Sequence, residues 1–341
     1  MTLAICFEGQ RFELEPGETV LEGIERNGAS LPAFCRRGIC QACLVKARRG
    51  EVPAAAQRGL SDGLRRQALF LACVCQPSGD LELERHGSSA AFPTRVERVE
   101  RLSEQVLRVL LAAPAGFSYR AGQFVQLARS DGLMRPYSIT SLPGGPLELH
   151  VELLPAGAMS RWLATATGEQ LSLRGPFGEC FYLPDEPDRP LLLAGTGTGL
   201  APLLGIARDA IAARHRGPIE LHHGSRRRDG LYLWTELEAL ARDAPQLRLS
   251  GSVLEPVGVE ATDLPANVAP ANVAPENASG RVAVRRIDDA LSSADIPWSL
   301  ARVYLCGNQE LVRRLQRQAY LAGASLARIH ADAFVAPGAR A

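Results

Sequence analysis

Cys35-Arg-Arg-Gly-Ile-Cys40-Gln-Ala-Cys43, read together with Cys73, decides the fold of the first quarter of this chain. Gaps of four residues (36–39) and two (41–42) separate the first three cysteines, and 29 residues (44–72) lead to the fourth. Three thiolates on one tight loop and a fourth from a distant segment suit a [2Fe–2S] cluster, because the loop can also aim backbone N–H groups at the sulfurs. Gly38 stands inside that loop, where a positive φ or a close backbone approach is needed. A structural zinc site prefers paired C-x2-C knuckles, and Cys40–Cys43 is the single such pair. Cys75 competes with Cys73 for the fourth place. Two residues apart on a strand, both point to one side, so alternation does not choose between them. The chain has eight cysteines in 341 residues, five of them in this stretch, and no secretory signal, so a disulfide scaffold is not expected.

The flanking sequence frames the loop. Leu3–Phe7 and Arg11–Glu15 alternate around Glu8-Gly-Gln10 and read as a hairpin. Thr19–Asn27 has helical spacing and stops at Asn27-Gly28, while Leu69–Cys73 and Leu81–Glu84 read as closing strands. Hairpin, helix, cluster loop and returning strands resemble the β-grasp fold of plant-type ferredoxins over about residues 1–86. The resemblance implies that Cys35, Cys40, Cys43 and Cys73 hold the iron, since Leu71-Ala-Cys73 matches the family's usual run.

His86–Pro93 is a small-residue stretch suited to a linker. Beyond it, short β-like runs at Thr94–Glu100, Val106–Leu111, Gln123–Leu127, Leu147–Leu153 and Gln170–Leu173 suggest an all-β barrel. Arg135-Pro-Tyr-Ser138 on this background resembles the flavin signature of the ferredoxin–NADP reductase superfamily. An arginine fork suits pyrophosphate oxygens, a tyrosine face packs on an isoalloxazine, and the Ser138 hydroxyl can reach the flavin edge where hydride arrives. The superfamily's G-x-x-S is represented by Gly157 and Ser160, which it places at the flavin pyrophosphate, and Gly175-Pro-Phe-Gly178 follows.

Arg189–Ala194 reads as a buried strand, Gly195-Thr196-Gly197-Thr198-Gly199 as a glycine-rich turn, and Leu200–Arg208 as the helix after it. Such a turn lets backbone N–H groups approach a pyrophosphate at a helix N-terminus. No lysine follows, so a Walker A phosphate loop is excluded. Ile219–Arg226 reads as the next strand, whose end would meet the adenosine half of a coenzyme. Arg302–Gly307 ends in a Cys306-Gly pair that the superfamily sets beside the nicotinamide, with Asn308 where proline is usual. Cys306 could equally be a small buried hydrophobe, and Phe334, in the C-terminal Ile329–Phe334 segment, a routine core phenylalanine rather than an aromatic near the flavin.

Composition bounds the rest. The length predicts two or three domains, and 38 basic against 37 acidic residues leave no global field for nucleic acid or an anionic membrane. No run reaches about 18 apolar residues, and the N-terminus lacks a basic leader, so a cytoplasmic protein without a membrane span is expected. Lys46 is the only lysine, which sets Schiff-base chemistry aside. Pro265–Pro275 repeats a five-residue unit and reads as a mobile surface insertion within 260–280.

The module order resembles the NADH-dependent reductase components of bacterial multicomponent oxygenases. It implies a multidomain α+β and α/β chain: a β-grasp [2Fe–2S] ferredoxin (1–88), an antiparallel FAD-binding β-barrel (94–186) and a Rossmann-like NAD(P)-binding domain (187–341). Ser138 and Cys306 are the expected catalytic residues. The cofactor-binding set is Arg135, Tyr137, Ser138, Gly157, Ser160, Gly195, Thr196, Gly197, Thr198, Gly199, Arg226 and Phe334. The expected path runs from NADH, with NADPH possible, through FAD and the cluster to an oxygenase or hydroxylase component or an intermediary ferredoxin. A reductase for sugar deoxygenation shares this module order, and a redox sensor without turnover would keep the same cofactors. The basic residues Arg36, Arg37, Lys46, Arg48 and Arg49 near the cluster predict a locally positive exit for electrons.

Overall fold

The computed structural model describes residues 3–31, 33, 36–38, 42–58, 60, 62–86, 91–255, 282–292 and 295–334. Cys35, Cys40 and the repeat at 265–275 lie outside them. The described chain divides into two compact units between Ala91 and Phe92.

The first unit holds a five-stranded mixed sheet. Strands β1 (Ala4–Phe7) and β2 (Gln10–Glu13) form the expected hairpin. Its two turn residues, Glu8 (φ 52°) and Gly9 (φ 81°), both adopt the left-handed conformation that matches strand twist in a two-residue turn. Helix α1 (Val20–Arg26) starts at a capping box: Thr19 Oγ1 accepts the Glu22 N–H at 3.3 Å, and the Glu22 carboxylate accepts the Thr19 N–H at 2.8 Å. It buries Val20, Leu21 and Ile24 in the core. Then come β3 (Leu44–Arg49), the short helix α2 (Asp62–Arg66), β4 (Leu69–Leu71) and β5 (Leu81–Arg85), giving the order β2-β1-β5-β3-β4. The strand expected to run through Cys73 ends at Leu71. The Ala72 N–H donates to the Cys43 carbonyl at 3.1 Å, and Ala72–Val74 turns as one 3₁₀ coil, so Cys73 and Cys75 do not share a strand face.

The second unit begins with β6 (Phe92–Arg101), which takes in Phe92 and Pro93 from the expected linker because both pair with β11. Strands β7 (Val106–Leu111), β8 (Phe124–Ala128), β9 (Met134–Ser138), β10 (Leu147–Glu152) and β11 (Gln170–Phe177) complete a six-stranded antiparallel sheet. Its order is β10-β7-β6-β11-β8-β9, and an Ile139–Leu149 bridge brings its two ends together as a barrel. Helix α3 (Ala158–Leu163) plugs the barrel with Met159 and Leu163. The Arg-Pro-Tyr-Ser motif forms its own strand, β9, at the end of the sheet order, where Pro136 costs no ladder bond in a sheet interior.

The third sheet is parallel throughout: β12 (Leu191–Thr196), β13 (Ile219–Ser225), β14 (Leu247–Val253), β15 (Val282–Val284), β16 (Arg302–Asn308) and β17 (Ile329–Phe334). The order β15-β14-β13-β12-β16-β17 reverses direction between β12 and β16, the crevice where such sheets bind ligands. Helices α4 (Leu200–Ala212), α5 (Trp234–Asp243), α6 (Ile287–Ser292) and α7 (Gln309–Leu321) take part in two separate cores, one on each face. No helix among the described residues is long and apolar enough to cross a membrane.

Candidate redox and nucleotide sites

In the first unit, the Ala72-to-Cys43 bond sets the Cys43 and Cys73 backbones side by side, with both residues buried. Gly38 (φ 73°) packs so closely on this turn that a Cβ there would stand 3.1 Å from Val74. Gly38, inside the expected cluster loop, therefore lies against the Cys73 turn, which suits a four-thiolate site. Cys75 differs: it is wholly buried in the apolar core, and desolvation pushes its thiol up to about 12. Four of the five basic residues expected near the electron exit have carboxylate partners among the described residues. Arg36 meets Glu25 at 2.6 Å, Lys46 (3.3 Å) and Arg48 (2.7 Å) share Glu84, and Arg49 is 3.6 Å from Glu82. Strand β5 supplies carboxylates that are remote from β3 in sequence but adjacent in the sheet.

In the second unit, β9 brings Ser138 to the C-terminal ends of β16 and β17. The Ser138 hydroxyl donates to Asp332 Oδ2 at 3.3 Å. Asp332 stands opposite Cys306 in the β16–β17 register, and burial pushes its carboxyl up to about 6. Cys306 Sγ lies 3.6 Å from Cys180 Sγ, and burial first, then Cys180, holds the Cys306 thiol well above its usual range. Ser138, Asp332, Cys306 and Cys180 thus form one cluster, of which sequence reasoning named two members. Asp332 was legible only through strand register, being the residue that a parallel β17 sets beside Cys306.

Tyr137 is half-buried, and desolvation raises its phenol. Arg135 Nη1 donates to the Met134 carbonyl at 2.7 Å. Thr140 Oγ1, two residues past Ser138, is buried with no partner among the described residues, as are both amide atoms of Gln126 on β8. Such orphaned polar atoms beside the motif suit a polar ligand. At the other motif, the Ser160 hydroxyl accepts the Leu154 N–H at 3.2 Å and donates to the Gly157 carbonyl, also at 3.2 Å. That hydroxyl closes a turn, and a Cβ at Gly157 would strike it.

The glycine-rich segment divides by role. Gly195 and Thr196 end β12, and Gly197–Gly199 makes a 3₁₀ turn into α4, with Thr198 buried. A Cβ on Gly195 would stand 2.6 Å from the Cys306 carbonyl, and one on Gly199 would collide with the same atom. Those glycines are required by the protein's own backbone. Gly197 (φ 54°) faces open space, leaving its side of the turn clear for a ligand. His223 Nε2 lies 3.2 Å from the Gly197 carbonyl, and burial lowers this imidazole to about 4, so it is neutral. Asn308 Oδ1 accepts the Glu310 and Leu311 N–H groups at 3.0 and 3.3 Å, so the residue standing in place of the usual proline caps α7. Half-buried Phe334 ends β17 opposite Asn308. Arg226, just past β13, is exposed and meets Glu255 at 2.6 Å.

Residues 4–78 match the 2Fe-2S iron-sulfur cluster binding domain, 93–182 the oxidoreductase FAD-binding domain and 193–317 the oxidoreductase NAD-binding domain. The chain is similar to the reductase subunit of an aromatic O-demethylase from Amycolatopsis, 36% identical over 266 residues that cover 73% of this chain and 79% of that one. It is 29% identical to the ferredoxin–NAD(P)+ reductase component of a Pseudomonas putida naphthalene 1,2-dioxygenase system, over 99% of this chain and 100% of that one. Among solved structures, an Amycolatopsis cytochrome P450 reductase superposes with a TM-score of 0.63 at 29% identity, covering 98% of this chain and 99% of that one. The chain is an oxidoreductase with [2Fe–2S], FAD and NAD domains, and it belongs to the family of electron-transfer reductase components of bacterial oxygenase systems.

Proposed function

We propose that this protein oxidises NADH and delivers electrons singly to an oxygenase or hydroxylase component, directly or through an intermediary ferredoxin. When bound, a flavin accepts hydride and releases electrons one at a time, and a [2Fe–2S] cluster carries one per visit. The residues divide the work. Cys35, Cys40, Cys43 and Cys73 hold the iron. Arg135, Tyr137 and Ser138 hold the flavin on β9, with the Gly157–Ser160 turn shaping its pyrophosphate side and Phe334 at its margin. The turn Gly195, Thr196, Gly197, Thr198 and Gly199 receives the coenzyme pyrophosphate, and Arg226 stands at its adenosine end. Ser138 and Cys306 line the hydride-transfer position, where Asp332 accepts the hydrogen bond of the Ser138 hydroxyl and so fixes that hydroxyl. The modules are those expected from the sequence, 1–88, 94–186 and 187–341, with the start of the second moved to Phe92, where β6 begins.

The observation that carries this reading is the meeting of Ser138, Asp332 and Cys306 at the sheet's switch point, beside the glycine turn whose Gly195 and Gly199 pack on the Cys306 carbonyl. Steady-state turnover tests it. NADH should drive many turnovers of cytochrome c reduction per chain. A single turnover followed by arrest would mean a sensor, and the reading would fail.

A further inference from the structure

We propose that Glu255 sets a preference for NADH by occupying the arginine that would otherwise take the 2′-phosphate of NADPH. The proposal rests on the reading of the β13 end as the adenosine side of the coenzyme site. In βαβ nucleotide folds an acid near the end of the second strand holds the ribose hydroxyls, or an arginine there takes the 2′-phosphate. Here that strand ends at Ser225 and runs into Arg226, Arg227 and Arg228, with no acid before Asp229.

The acid arrives from the neighbouring strand. β14 runs parallel to β13 with Val253 opposite Ser225. Past Val253 the chain bends so that the N–H groups of Leu254 and Glu255 both donate to the Arg226 carbonyl, at 3.1 and 3.0 Å. Those two bonds fix the Glu255 backbone beside Arg226, and its carboxylate accepts the Arg226 Nε–H at 2.6 Å. Arg227 faces Asp229 at 3.7 Å.

With side chains 80% and 45% exposed, the Arg226–Glu255 pair adds little to stability. Its consequence is selectivity. A 2′-phosphate, carrying about two negative charges, must displace the carboxylate from the fork and then sit beside it. A ribose hydroxyl needs neither, and can donate to the carboxylate. The rejected coenzyme is thus opposed by a repulsive group as well as denied an attractive one.

The test uses the holoprotein and two probes, 5′-AMP and adenosine 2′,5′-bisphosphate. Each is titrated calorimetrically into wild type, Glu255→Gln and the double variant Glu255→Gln/Arg226→Gln, with kcat/KM for NADH and NADPH measured alongside. In wild type the bisphosphate should bind no tighter than 5′-AMP. Glu255→Gln should raise its relative affinity about tenfold or more, shift kcat/KM toward NADPH, and lose the gain when Arg226 is also replaced. An unchanged ratio in Glu255→Gln, with both probes still competing against NADH, overturns the proposal and leaves the site reading standing. If neither probe competes with NADH, the adenosine reading itself falls, and the proposal falls with it.

Discussion

Cys73 and Cys75 show how two residues of one type, two positions apart, come to have different chemistry. Cys73 sits on a 3₁₀ turn beside Cys43, whereas Cys75 is sealed in the core with its thiol pushed up to about 12. A thiolate ligand needs the opposite environment. Cys75→Ser should therefore retain iron and the visible spectrum of the cluster, and Cys73→Ser should lose both, measured by iron content and absorbance of the purified proteins. Alternation along a strand could not separate the two, because the strand stops before either residue. Asp332 carries a second residue-scale prediction. Its folded pKa, about 6, lies above the ordinary carboxylate value, so the folded state binds more protons than the unfolded chain between about pH 4 and 6. Stability from this group is present below that window and lost as pH rises through about 6. Asp332→Asn should accordingly gain melting temperature relative to wild type at pH 8, by the equivalent of about 2–3 kcal/mol, and gain about half as much at pH 5.

Between elements, the barrel and the nucleotide sheet are joined by a polar network. Arg108 on β7 reaches Glu100 (3.0 Å), Glu148 on β10 (3.0 Å) and Glu236 on α5 (2.7 Å). Arg208 on α4 also pairs with Glu148 at 2.8 Å. His150 lies within hydrogen-bond distance of both Glu148 (3.0 Å) and Tyr232 (3.1 Å), and Tyr232 packs edge-on against His223. The cations beside Glu148 and its bond with His150 hold its carboxyl far below the usual range despite burial. Arg108→Ala would leave that carboxylate undercompensated, and urea unfolding should register a loss of about 2–4 kcal/mol. Combining it with Glu236→Ala should cost less than the sum of the two single changes. None of these partnerships shows in the sequence, since Arg108 and Glu236 are 128 residues apart. By contrast, the Glu8-Gly9 hairpin, the Thr19-to-Asn27 helix and the Gly195–Gly199 turn are legible because local backbone chemistry dictates them. Sequence distance also hides that Glu82 and Glu84 meet the basic residues of β3 across the sheet.

At the scale of the whole molecule, three sheets in one order explain why hydride chemistry and one-electron chemistry share a chain. Fold class and cofactor domains were readable from short motifs, because thiolate spacing, flavin-strand residues and a glycine turn each answer a fixed chemical demand. What the motifs left out is set by register and packing: Asp332 beside Cys306, Glu255 beside Arg226, and the turn at Ala72–Val74. On this reading one polypeptide carries electrons from NADH through a flavin to iron held by Cys73. Low-temperature electron paramagnetic resonance of the holoprotein, mixed anaerobically with excess NADH, follows that path. In wild type the flavin should bleach, and the signal of a reduced [2Fe–2S] cluster should appear together with the bleaching. In Cys73→Ser the flavin should bleach and no such signal should appear. A wild-type protein whose flavin bleaches while its iron stays oxidised and silent would mean that electrons do not pass from flavin to cluster.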